Sequence, residues 1–121
     1  FVYGWAQIPQ GRLVCLTCFV REEEPDGADW LSLCLPEGAL ERVEPRLYED
    51  HRGGDSWAWR QTVDAWFVEV ARNVARSVEF ERAIIGEDVS GFDAATDSTG
   101  RRTLSEITCD SGEITWHPPD P

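Results

Sequence analysis

Cys15 and Cys18 stand three apart, and with Cys34 and Cys109 they make four thiols, the number that a structural zinc site uses. Strand parity opposes that chemistry. The run Leu13-Val14-Cys15-Leu16-Thr17-Cys18-Phe19-Val20 is apolar and β-prone, and residues three apart on a strand face opposite ways. No glycine or polar knuckle separates the two sulfurs, so sharing a metal would need a bulge or turn. A redox Cys-x-x-Cys needs a helix starting behind its first cysteine, which the same parity disfavours. Cys34 lies between Leu33 and Leu35, another apolar setting. The cysteines are therefore expected as small buried hydrophobes and free thiols, the state usual in a cytosolic protein, with no metal.

The histidines are His51 and His117. Asp50-His51 precedes Gly53-Gly54 in a polar stretch, and an imidazole beside a carboxylate is the raw material of a general base. Adjacent side chains diverge, however, which favours an ordinary loop. Asp50, His51 and Arg60 are the residues of an alternative reading, a small-molecule or catalytic pocket. His117, before Pro118-Pro119, belongs to a tail. Asp110-Ser111-Gly112 matches the triplet of aspartic proteases, but a hairpin turn explains all three residues. A single copy would also need a dimer to pair two carboxylates. Asp93, Asp97, Ser98 and Thr99 offer oxygens at a spacing that is not an EF-hand's. There is no Gly-x-Ser-x-Gly, phosphate-binding glycine loop or dinucleotide fingerprint. No cofactor is expected, and an enzyme is not the favoured class.

These residues need elements to hold them. Segments 1–8 and 12–21 read as strands joined through Ile8-Pro9-Gln10-Gly11-Arg12, where Pro and Gly suit a hairpin with a bulge. The first strand puts Phe1, Tyr3 and Trp5 on one face and Val2, Ala6 and Ile8 on the other. The second is apolar on both faces, as a central strand is. An acidic loop at 22–28 leads to a third strand over 29–35, and Pro36 opens a short helix ending before Pro45.

Asp55 or Ser56 caps the strongest helix. Trp59, Val63, Trp66, Phe67, Val70 and Val74 fall in one arc of roughly 100°, the expected core stripe. Trp57, Val68, Ala71 and Ala75 cluster on the other side, as a partly buried surface or an exposed patch for a partner. Segment 77–85 reads as a strand, with a continuing helix as the alternative. A loop over 86–100 follows, then a hairpin over 104–116 turning at Asp110-Ser111-Gly112. The tail is Pro-rich over 117–121. The order β-β-β-α-α-β-β-β predicts an α+β fold, a mostly antiparallel sheet of about six strands on one long amphipathic helix. At 121 residues it is expected as a single compact domain.

Composition bounds the function. Eleven cations, all arginine, face 23 acids for a net charge of −12, and lysine and methionine are absent. A nucleic-acid groove needs a basic stripe, so nucleic acid is not expected as a partner. Absence of lysine with ample arginine suggests GC-rich codons. No run approaches the ~20 apolar residues of a membrane span. The N-terminal residues read as a strand rather than a signal peptide, so the expected location is the cytoplasm.

With 11% aromatic residues, six of them tryptophan, the chain is rich in interface-type side chains. Carboxylates steer a cationic protein and aromatic residues anchor it. The expected function is therefore a non-enzymatic interaction module for a basic protein. Its candidate residues are Trp30, Tyr48, Trp57 and Val68 with Glu22, Glu23 and Glu24. In general character this small acidic α+β chain is similar to bacterial toxin-immunity proteins, a likeness of composition alone.

Overall fold

The computed structural model describes residues 1–25, 27–47, 57–89 and 93–121, with Trp57 described in its backbone only. Asp50, His51 and Tyr48, and the side chain of Trp57, lie outside the described residues. Along the chain run β1 (Val2–Ile8), β2 (Gly11–Val20), β3 (Trp30–Cys34), α1 (Glu37–Val43), α2 (Trp57–Ala75), β4 (Arg82–Ile85), β5 (Ser105–Asp110) and β6 (Glu113–His117). The class is α+β, and the order is the one the sequence predicts. All strand pairing among the named elements is antiparallel. The six strands form two sheets, β1-β2-β3 and β4-β5-β6. The chain divides into two compact units, Phe1–Val63 and Asp64–Pro121, each holding one sheet.

In the first unit, β1 and β2 pair without interruption from Val2↔Thr17 to Ile8↔Gly11. Pro9-Gln10 makes the connection. Gly11 has a φ of +152°, and a Cβ built there would meet Val43 Cγ1 at 3.0 Å. Glycine at this position thus lets α1 approach β2 closely. Pro36 stands at the head of α1, where its carbonyl accepts from the N–H groups of Ala39 and Leu40 at 2.9 Å each. The helix ends as Glu44 N–H reaches Leu40 O, ahead of Pro45. Ala6, Ile8, Leu13, Leu47, Trp59 and Val63 are buried in this unit.

In the second unit, Val68, Ile85 and Ile107 are the buried core, with Phe67, Ala71, Phe80, Ala83, Ile114 and Trp116 packed against it. The C-terminal part of α2 therefore covers its sheet. The Asp110-Ser111-Gly112 turn is the predicted one: Ser111 and Gly112 both have positive φ, 51° and 80°, as a two-residue type I′ hairpin requires. Between 86 and 100, Asp97 Oδ1 accepts from Thr99 N–H at 2.8 Å, Thr99 Oγ1 at 2.6 Å and Arg101 N–H at 3.1 Å. The candidate cation-binding oxygen is thus engaged in a local turn. The Pro-rich tail is held where Asp120 Oδ2 accepts from Arg102 N–H and Asp120 N–H returns to Arg102 O.

Candidate functional site

The register of the first sheet sorts its side chains. Residues directly opposite share a face, so Tyr3, Trp5, Val14, Leu16, Cys18, Val20, Trp30 and Cys34 occupy one face. Val2, Ala6, Ile8, Leu13, Cys15, Phe19, Leu31 and Leu33 occupy the other. At the Pro9-Gln10 end, the second face is buried through Ile8 and Leu13. At the opposite end burial fails on both faces. Tyr3 is 71% exposed, Trp5 68%, Phe19 63% and Leu31 56%, with Phe1, Val2 and Val20 also exposed. Tyr3 and Trp5 are exposed on one face, and Phe19 and Leu31 on the other. Large apolar side chains left open on a sheet mark a candidate interaction surface.

The connection from β2 to β3 closes this same end. Glu23 and Glu24 are exposed there and Glu22 is half-buried, its N–H donating to Asp29 Oδ1 at 3.3 Å. Gly27 N–H returns to Glu24 O to tighten the turn. Trp30, half-buried, opens β3 directly opposite Val20. The candidate residues Glu22, Glu23, Glu24 and Trp30 therefore stand together, at the end where Phe1, Tyr3, Phe19 and Leu31 are exposed. Sequence reasoning placed Phe1, Tyr3 and Trp5 on one strand face and missed that the face is open. Strand alternation carries the face but not what covers it.

Val68 is a correction. It is 4% exposed and sits in the core with Ile85 and Ile107, so it is not surface for a partner. The helical wheel put it away from the main stripe because the wheel assumes one buried face along the whole helix. Ala71, on the same side, also packs on this core.

The thiols follow strand parity. Cys15 lies opposite Gly4 and Cys18 opposite Ser32, on opposite faces of β2, and all four cysteines are free. No group of three or more potential metal ligands occurs among the described residues. His117 Nε2 lies 3.1 Å from Thr108 Oγ1 within the second sheet.

Arg60, on α2, is half-buried. Two open grooves belong to the second unit: one of ≈ 400 Å³ lined by Glu79, Phe80, Glu81, Cys109, Asp110 and Ser111, the other bounded by Arg72 and the β5–β6 turn. Neither is lined by Arg60.

No described helix is long and apolar enough to cross a membrane. No protein-family model, curated protein or solved structure matches this chain.

Proposed function

We propose that this chain is a protein-interaction module that engages a basic partner through the open end of its first sheet. One observation carries the reading: Tyr3 and Trp5 on one face of the sheet, Phe19 and Leu31 on the other, and Phe1 before β1 are all exposed, and an acidic connection joins β2 to β3. Large side chains there supply apolar area for burial, and aromatic residues are the usual anchors of an interface. Glu22, Glu23, Glu24 and Asp29 at the rim, in a chain of net charge −12, steer a cationic protein toward it. Trp30 belongs to this surface, whereas Val68 does not.

The test uses the whole chain immobilised beside a variant carrying Tyr3→Ser, Phe19→Ser and Leu31→Ser. Both are exposed to lysate of the source organism at low and high salt. The expected result is a basic protein retained by the native chain at low salt, released at high salt and absent from the variant. Identical proteins on both surfaces, or retention indifferent to salt, would remove the reading.

A further inference from the structure

β1 is an edge strand of its sheet. Among the described residues it pairs with β2 alone, and its seven residues contain no proline and no charged side chain. Its register with β2 is unbroken, so no bulge turns it away. Proteins usually blunt such an edge with lysine, proline or a bulge, because its free N–H and C=O groups template further pairing. None of these devices is present on β1.

Arg12 shows what the rings on this edge accept. It lies opposite Gln7 on β2, hence diagonal to Trp5, and its guanidinium carbon is 4.7 Å from the Trp5 ring centroid. A strand added on the free side of β1 presents its own side chains at the matching diagonals of the same face. A guanidinium placed there meets Tyr3 and Trp5 from the open side, in the same cation–π geometry.

We propose that β1 accepts an extended cationic segment of a partner protein by strand addition, with arginines at alternate positions stacked over Tyr3 and Trp5. The ladder supplies main-chain hydrogen bonds, and the alternate side chains supply selectivity. Charge decides the occupant: a second copy of the chain brings another −12, whereas a cationic segment is drawn by the acidic connection at 22–29. This inference rests on the open sheet end being an interaction surface.

The probe is a capped ten-residue peptide of alternating arginine and valine, titrated into the whole chain by calorimetry and amide hydrogen exchange. Controls are a glutamate–valine peptide and two versions N-methylated at alternate residues, which between them block either peptide edge. Binding is expected with slowed exchange within Val2–Ile8, and one N-methylated version is expected to lose about ten-fold or more in affinity. Trp5→Val, at an exposed position, is expected to weaken binding about two- to five-fold with the strand intact by circular dichroism. If both N-methylated peptides bind like the parent, strand addition is overturned while the interaction surface stands. Equal binding of the glutamate peptide overturns the cationic preference. If no peptide binds, the inference fails, and the salt-dependent capture by the whole chain decides the reading beneath it separately.

Discussion

Ser105 donates its hydroxyl proton to Asp64 Oδ2 over 2.6 Å, joining residues 41 positions apart. Ser105 is fully buried and Asp64 is 3% exposed. Trp116 Nε1–H in turn donates to Ser105 Oγ at 3.1 Å. The hydroxyl thus serves one carboxylate and one indole, tying α2, β5 and β6 of the second unit together. A buried carboxylate is tolerated only when its lone pairs are met, so this contact is structural and not an open nucleophile.

Removing that hydroxyl takes one hydrogen bond from the buried Asp64 carboxylate and one from the half-buried Trp116 indole. Ser105→Ala is expected to cost about 1–3 kcal/mol, the range for an orphaned buried group. Urea unfolding followed by tryptophan fluorescence measures it. A loss under roughly 0.5 kcal/mol, the scatter of neutral surface changes, would mean the network contributes nothing.

Exposure separates the two kinds of apolar side chain. Tyr3→Ser and Trp5→Ser, at open positions, are expected to change stability by no more than about 0.5 kcal/mol. Ile107→Ala, in the core at 1% exposure, is expected to cost about 2–5 kcal/mol. Thermal melts of the three variants check the contrast. Comparable losses at Tyr3 and Ile107 would show that the sheet end is covered in solution.

Glu44 holds a two-pronged pair with Arg46: Nε to Oε1 at 2.7 Å and Nη2 to Oε2 at 2.8 Å. The guanidinium hydrogen bonds hold the Glu44 carboxyl below its ordinary value near 4.5, against the opposing effect of its burial. A depressed carboxyl stabilises the fold fully above its ordinary value and loses that contribution as pH falls through the folded one. Stability is therefore expected to fall below about pH 4.5. Glu44→Gln should flatten that part of the curve and cost roughly 1 kcal/mol at neutral pH. Denaturation at a series of pH values reads both, and an unchanged curve would remove Glu44 from the account.

Cys34 is exposed, while Cys15, Cys18 and Cys109 are half-buried. Under native, non-reducing conditions a thiol reagent is expected to label Cys34 first and the other three more slowly. In denaturant all four should react. Fewer than four reactive thiols would show a disulfide, and uniform native rates would contradict the burial order.

The local elements were legible because their causes are local. The alternation of Tyr3 and Trp5 against Ala6 and Ile8, the proline heading α1 and the Ser111-Gly112 turn each depend on a few neighbouring residues. So does the separation of Cys15 from Cys18, which needs only the two-residue period of a strand. The candidate set was legible in part. Glu22, Glu23, Glu24 and Trp30 gather at one sheet end because they flank a single strand connection.

What the chain order left open, tertiary contacts decided. Nothing in the helical spacing of α2 reveals that the boundary between two compact units falls at Val63 and Asp64. Trp59 and Val63 are buried in one unit and Val68 in the other, so no single stripe describes the helix. The exposure of Tyr3 and Trp5 is equally non-local, since an aromatic row looks the same in a core as on an open edge. Secondary structure follows from backbone sterics and near neighbours. Burial depends on which distant surface arrives, and that is a property of the folded whole.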